Sequence, residues 1–290
     1  MKGKFLGICL MVLLFFSLLG FGQYSKQVNK IVLLSIPPQF TDKSLFLSPI
    51  TQIKNQPSDQ IVTGITVPHH LLATDLIVQA FNFASAGKYE QILLFSPDHF
   101  DLGTTDVSIS EKNFSTVLGD ISTDTEAVKQ LEKLSFIKAQ DFFYREHGLG
   151  AELPFIRYYF PNAKIIALTF KESTRKEELD QTVEVLKKIL ATNSLVIQST
   201  DFSHYLTPTK AQAHDAETIK VLDQGNPAQL FSLIQPDHID SIASQYVQMR
   251  LQQEFYSSKL KIIGHKNSQE YTKDKIDSTT SYIVQAYLPR

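Results

Sequence analysis

The sequence predicts an α/β fold: a single domain whose mainly parallel central sheet is covered by helices on both faces. Two observations lead to this prediction. The 290 residues are 43% hydrophobic and 20% charged, which is typical of a packed globular protein. Short, continuous apolar runs, typical of buried strands, alternate along the chain with longer helical patterns. Such alternation favours parallel strands joined by crossover helices.

The predicted strands are short apolar runs, at 61–67, 91–96, 164–170, 195–198 and 281–288, and 106–118 has the pattern of an edge strand or hairpin. The predicted helices are 71–84, 123–134, 177–191, 211–222 and 242–255. In the last of these, Ile242, Tyr246 and Met249 are spaced so that they fall roughly along one face.

Residues 1–22 predict a signal peptide or an N-terminal membrane anchor. Lys2 and Lys4 precede an uncharged apolar run from Phe5 to Phe21, which is the layout of a secretory signal. The run is also near the minimum length for spanning a bilayer. We therefore expect an exported, extracytoplasmic protein, secreted or anchored, that meets a membrane only through this segment. Residues 23–58, which are rich in proline and polar residues, predict an irregular lead-in to the domain over 59–290.

Charge and cysteine content exclude several classes of function. The net charge is −2 and no basic run stands out, which argues against a nucleic-acid partner. The only cysteine, Cys9, lies inside the N-terminal apolar run, so a disulfide framework and a cysteine-type zinc site are excluded. A metal ion would need ligands from His, Asp or Glu.

Histidines and a carboxylate follow three of the predicted strands. His69 comes after 61–67, His99 after 91–96, and Asp201 and His204 after 195–198. Ligands of open parallel sheets bind outside the carboxyl ends of the strands, so these side chains predict one metal site. Imidazoles with a carboxylate suit Zn, Fe or Cu. The alternatives are a hydrogen-bonded turn for each histidine, a helix cap for Asp201, and His70 in place of His69.

A fourth candidate cluster is Glu146 with His147, between Arg145 and Gly148 and ahead of an apolar helix. A charged pair in this setting is typical of a general acid and base, or of groups that orient a metal ligand. The alternative is a surface loop that ends in a helix.

Taken in order, these motifs resemble the Memo family, which includes the AmmeMemoRadiSam system protein B. The resemblance rests on Val-Pro-His69, Ser-Pro-Asp-His99, Glu146-His147-Gly-Leu-Gly-Ala-Glu-Leu-Pro-Phe, Ser-Thr-Asp201-Phe-Ser-His204-Tyr and the tail Asp277-Ser-Thr-Thr-Ser-Tyr. It covers roughly residues 59–288. It implies the fold of class III extradiol dioxygenases (LigB-like), with His69 and His99 as metal ligands. Asp201, His204, Glu146 and His147 would line the same pocket and supply its acid–base groups.

The chain departs from the family pattern where a cysteine commonly supplies the third metal ligand. The matching position falls within 236–242, where Asp237, His238 and Asp240 are the possible replacements. We expect His238, the only histidine of that segment, to be the third ligand. Replacing a thiolate in this way would move the preference from Cu(I) toward Fe(II) or Zn.

Three functions remain open on the sequence alone. The first is a metal-dependent, dioxygenase-like enzyme that acts on a small aromatic substrate, a reading that rests on fold analogy. The second is a non-catalytic protein that binds a metal, a peptide or another partner. The third is a metal-dependent hydrolase. A serine mechanism has no support, because the chain lacks a Gly-x-Ser-x-Gly motif.

Overall fold

The structure is a computed structural model that describes residues 35–272 and 278–290. The predicted signal or anchor segment 1–22, the first part of the lead-in (residues 23–34) and Asp277 of the tail motif lie outside the described residues. Within the described ranges, no helix combines the length and the apolar character needed to cross a membrane.

The strands are β1 (Ser35–Ile36), β2 (Gly64–Val67), β3 (Gln91–Pro97), β4 (Val107–Ile109), β5 (Asn113–Thr116), β6 (Gly119–Ile121), β7 (Ile137–Ala139), β8 (Lys164–Phe170), β9 (Ser194–Ser199), β10 (Ser258–Asn267) and β11 (Ser281–Pro289). The α-helices are α1 (Ser44–Gln52), α2 (Thr74–Ala84), α3 (Thr125–Leu131), α4 (His147–Gly150), α5 (Leu153–Tyr159), α6 (Lys176–Ile189), α7 (Pro208–Gln224) and α8 (Ile242–Glu254). Short 3₁₀ helices cover Leu71–Ala73, Phe142–Arg145, Pro227–Ser232 and Ser268–Glu270.

Eight strands form one mixed sheet in the order β10-β11-β2-β9-β3-β8-β4-β7. The central strands β2, β9, β3 and β8 are parallel. The outer strands add antiparallel pairs, between β10 and β11, β11 and β2, and β4 and β8. Because β2, β3 and β9 run parallel, their carboxyl ends open at the same edge of the sheet.

Helices cover both faces of this sheet, which confirms the predicted α/β class. Side chains of β3 alternate between the two layers: Ile92 and Leu94 pack into one core, Leu93 and Phe95 into the other. The first core includes side chains of α1, α2 and α5, and the second includes side chains of α3, α6 and α8. All four of these strand residues are fully buried.

Two segments differ from the sequence prediction. The lead-in 23–58 is not irregular throughout, because it contains α1, whose Phe46 is fully buried and packs against Phe155 at 5.3 Å between ring centroids. The segment 106–118 divides into β4 of the main sheet and β5, which pairs with β1 and β6 in a separate three-stranded sheet. The interior Pro49 of α1 disfavours a helix prediction for this segment.

Strand β10 was not among the predicted elements. His265, expected in a loop, lies within it and pairs with Ile283 of β11. The burial pattern of β10 is mostly intermediate or exposed, as suits a strand at the edge of a sheet. A strand of this kind lacks the continuous apolar run that identifies buried strands in the sequence.

Candidate metal site

The carboxyl ends of three parallel strands bring the predicted histidines into one pocket. His69 follows β2, His99 follows β3, and Asp201 follows β9. The pocket has a volume of about 690 Å³. Its lining includes His69, His99, His147, Asp201, His204 and Asp240. These residues come from five separate segments of the chain, so only the sheet and the loops at its edge bring them together.

His69, His99 and His147 form a compact cluster. Each offers one ligand atom, and the three atoms lie within 4.8 Å of one another. The ring centroids are 4.6 Å apart for His69 and His99, 5.0 Å for His69 and His147, and 4.0 Å for His99 and His147. We name these three residues the histidine cluster.

Ser199 determines which nitrogen of His69 faces the pocket. Its hydroxyl donates to the Gly148 carbonyl at 2.5 Å, so its single hydrogen is used there. The contact of 3.2 Å between Ser199 Oγ and His69 Nδ1 then requires Nδ1 to be the donor. A neutral His69 therefore carries its hydrogen on Nδ1 and presents an unprotonated Nε2 to the cluster, which is the form that binds a metal ion.

Neighbouring groups keep His69 neutral. Burial, and then the positive charge of His99, hold the pKa of His69 well below its usual value. Burial and His99 likewise lower the pKa of His147. Both rings thus retain a lone pair for coordination.

Two carboxylates hold His99 from opposite sides. Glu146 Oε1 lies 2.5 Å from His99 Nδ1, and Asp240 Oδ2 lies 3.0 Å from Nε2. Burial alone would lower the pKa of His99, but the hydrogen bonds to Asp240 and Glu146 outweigh it and raise the pKa to about 10. Burial alone would raise the pKa of Asp240, whereas the hydrogen bond to His99 and the nearby His69 bring it well below its usual value. Without a metal ion, the pair therefore forms a buried imidazolium–carboxylate contact, and a metal ion that binds His99 Nε2 would displace the proton there.

Glu146 is fully buried and is held by three contacts. In addition to the His99 ring, its carboxylate accepts the backbone N–H of His99 at 3.0 Å and that of Gly148 at 2.8 Å. A Cβ at position 148 would lie 2.8 Å from Ser96 Cβ and 3.1 Å from Glu146 Oε1, so only glycine fits there. This close packing places His147, the first residue of α4, beside His99.

Asp201 and His204 form the other wall of the pocket. Asp201 accepts the backbone N–H of His69 at 3.2 Å, and its Oδ2 lies 3.9 Å from His204 Nε2. Burial and then the charge of Asp240 raise the pKa of Asp201 well above its usual value. Burial lowers the pKa of His204, whose Nδ1 is buried without a hydrogen-bond partner among the described residues.

His238, the predicted third ligand, lies outside the histidine cluster. Its Nδ1 accepts the backbone N–H of Ile234 at 3.2 Å, and its Nε2 lies 2.9 Å from Glu217 Oε2. The ring stacks on His214 with 4.2 Å between centroids. Both ring nitrogens are thus engaged away from the pocket, and the third histidine of the cluster is His147 instead. From the segment 236–242, it is Asp240 that reaches the site.

The arrangement fits a metal ion. A site with three imidazole nitrogens and adjacent carboxylates suits Zn, Fe or Cu, whereas Mg and Ca prefer more oxygen ligands. The contacts of His69 with Ser199 and of His99 with Glu146 orient each ring through the nitrogen that faces away from the cluster, as partners of metal-bound histidines do. Asp240 Oδ2 lies 3.4 Å from His69 Nε2 and 3.0 Å from His99 Nε2, close enough to serve as a further ligand.

Comparison with known proteins identifies the family. Residues 42–285 match the model of the Memo-like protein family. A MEMO1 family protein of Caldivirga maquilingensis is 26% identical over 166 residues, covering 55% of this chain and 59% of that protein. One from Nitrosopumilus maritimus is 22% identical over 191 residues, covering 64% and 68%. The chain thus spans about half to two thirds of the length of the relatives it matches.

A solved structure, that of the uncharacterized protein JW3007 from Escherichia coli K12, is similar at a TM-score of 0.46 and 9% identity, covering 77% of this chain and 99% of that one. The family match, in contrast, extends over most of the chain and includes every residue of the pocket lining except Phe40. The chain belongs to the Memo family.

Proposed function

We propose that this Memo-family protein binds one divalent or redox-active metal ion, Fe, Cu or Zn, through His69, His99 and His147. The observation that carries the proposal is the close approach of three ring nitrogens, within 4.8 Å, at an open pocket. Asp240 supports it, because its carboxylate offers negative charge beside two of the rings.

The finer proposal is a dioxygenase-like oxidation of a small aromatic substrate. The bound metal would supply Lewis-acid and redox chemistry at the histidine cluster. His204, a neutral histidine in the pocket wall, would accept a proton from the substrate, with Asp201 orienting its ring. Glu146 would keep His99 in place through Nδ1. The exposed rings of Phe100 and Tyr205 at the pocket support an aromatic substrate.

Metal content tests the first proposal, metal binding by the histidine cluster. The full chain is expressed in minimal medium with added Fe, Cu and Zn, purified and subjected to elemental analysis. We expect near-stoichiometric metal in the wild type and its loss in the double variant His69→Ala/His99→Ala. His265→Ala is the matched control, since His265 pairs with Asp215 outside the pocket lining. Equal metal in the double variant, with a folded circular dichroism spectrum, would reject the site.

Oxygen consumption tests the second proposal, the dioxygenase-like oxidation. Iron- or copper-loaded protein is screened with catechols, and we expect consumption that His204→Ala reduces. Stoichiometric metal without any consumption would favour a non-catalytic metal-binding protein, and zinc would favour the hydrolase alternative.

We also propose that residues 1–22 direct export of the chain. The support is the charge and apolar pattern of that segment. Cell fractionation of the full chain and of a chain lacking 1–22 would separate an exported protein from one retained in the cytoplasm.

A further inference from the structure

His70 lies in the pocket beside the histidine cluster but is not part of it. Its Nδ1 is 2.7 Å from the hydroxyl oxygen of Tyr282, on β11. The two rings are 5.8 Å apart at an interplanar angle of 69°, so they meet edge to face rather than stacked. Tyr282 is fully buried, whereas His70 is exposed and lines the pocket.

The Tyr282 hydroxyl has a single hydrogen, and the partner to which it donates determines which nitrogen of the neutral His70 ring carries the ring hydrogen. Among the described residues, His70 Nδ1 is the only hydrogen-bond partner of this hydroxyl. A buried hydroxyl keeps its hydrogen paired, so Tyr282 donates and Nδ1 accepts. In the neutral His70 ring, the ring hydrogen is therefore on Nε2.

The backbone of His70 is fixed as well. The backbone N–H of the preceding residue, His69, donates to Asp201 at 3.2 Å, and the His70 carbonyl accepts the backbone N–H of Ala73 at 2.9 Å. Among the described residues, the ring nitrogen Nδ1 has a hydrogen-bond partner and Nε2 has none. The Nε2–H group thus belongs to a ring that Tyr282 holds in place, and it is a hydrogen-bond donor without a partner among the described residues of the pocket.

We propose that His70 is a ligand-binding residue that donates a hydrogen bond from Nε2 to an oxygen atom of the ligand at the candidate metal site, with Tyr282 selecting the required tautomer. The inference rests on the proposed function for the position of that ligand. The carboxylate of Asp240 in the same pocket would repel an anionic ligand oxygen. An N–H donor in the pocket lining offsets this repulsion and selects for ligands that carry an acceptor.

The first test needs no metal. Metal-free full chain labelled with ¹⁵N-histidine is studied by long-range ¹H–¹⁵N correlation, with the His70 signals assigned by their loss in His70→Gln. We expect the Nε2–H tautomer in the wild type. Tyr282→Phe removes the hydroxyl that donates to His70 Nδ1, and in this variant we expect a mixture of the two His70 tautomers. A wild-type His70 that carries its hydrogen on Nδ1 would overturn the inference.

The second test measures ligand binding by spectroscopy rather than by activity. Zinc-loaded protein is titrated with 4-nitrocatechol, whose visible absorption reports its binding, after the zinc content of every variant is measured. We expect His70→Ala to weaken binding about tenfold, the size of one hydrogen bond to a charged acceptor. We expect His70→Gln, which keeps an N–H donor, to recover part of the loss, and His265→Ala to bind as the wild type does.

The outcomes separate the two proposals. A wild type that takes up none of Zn, Fe or Cu contradicts the proposed function, and the tautomer measurement still decides whether Tyr282 and His70 form the inferred pair. Zinc-loaded His70→Ala that binds 4-nitrocatechol as tightly as the wild type overturns the role of His70 and leaves the metal site standing.

Discussion

Glu146 decides which nitrogen of His99 is available to the pocket. Its carboxylate holds Nδ1 at 2.5 Å and also accepts two backbone N–H groups, those of His99 and Gly148. Because Glu146 is fully buried, these contacts are shielded from solvent and fix the ring orientation. His99 Nε2 is thereby turned toward Asp240 and the other two histidines.

We predict that Glu146→Gln lowers metal affinity about 10- to 100-fold, the usual effect of removing a carboxylate behind a metal-bound histidine. Glutamine keeps the size of the side chain but loses its charge and one acceptor. Competition with a chromophoric chelator measures the affinity. Glu217→Gln is the matched control, because Glu217 contacts His238 away from the pocket. Equal affinity in Glu146→Gln and the wild type would show that the carboxylate does not orient His99.

At the scale of elements, α8 packs on the sheet through a buried polar face. Gln252 donates to the Thr63 carbonyl at 3.1 Å and accepts from the Thr63 hydroxyl at 2.7 Å. Gln248 donates to the Ile65 carbonyl at 3.3 Å. A Cβ on Gly64 of β2 would lie 2.3 Å from Gln252 Nε2, so the helix approaches the strand closely because that residue is glycine.

Gly64→Ala should therefore destabilise the fold by about 1–3 kcal/mol, the usual cost of overpacking a filled interior. Urea unfolding of both proteins measures the loss. Gly264→Ala, in the edge strand β10, is the control: its Cβ would meet the end of Leu76 at 3.0 Å, and a smaller loss is expected. A free energy of unfolding for Gly64→Ala equal to that of the wild type would contradict the close packing of α8 on β2.

At the scale of the whole molecule, the pocket joins segments that are distant in sequence. The contact between His99 and Asp240 spans 141 residues, and that between His69 and Asp201 spans 132. A ligand held by such segments binds the folded chain and not the unfolded one. Binding must then stabilise the fold through mass action.

We predict that metal raises the melting temperature of the wild type and that a chelator reverses the rise. At a free metal concentration about 100 times Kd, the stabilisation is about 2.7 kcal/mol. Differential scanning fluorimetry with and without metal measures the shift, and His69→Ala/His99→Ala should show none. A shift of equal size in the double variant would mean that the metal acts elsewhere on the chain.

Much of the architecture follows from local patterns in the sequence. The apolar runs that predict strands at 91–96 and 164–170 correspond to β3 and β8, and the helical pattern at 177–191 corresponds to α6. The predictions that failed concern weak local signals. The helix α1 contains a proline, and the edge strand β10 has few apolar residues.

The sequence alone establishes the α/β class, the family resemblance and the placement of His69, His99 and Asp201 just after three apolar strands. It could do so because strand and helix periods are local, and because parallel strands end at one edge. That His147 joins the histidine cluster, and that His238 contacts Glu217 instead, becomes visible only in the folded chain. Those two outcomes depend on the close packing at Gly148 and on the path of the loop before α8, which no local pattern of residues encodes.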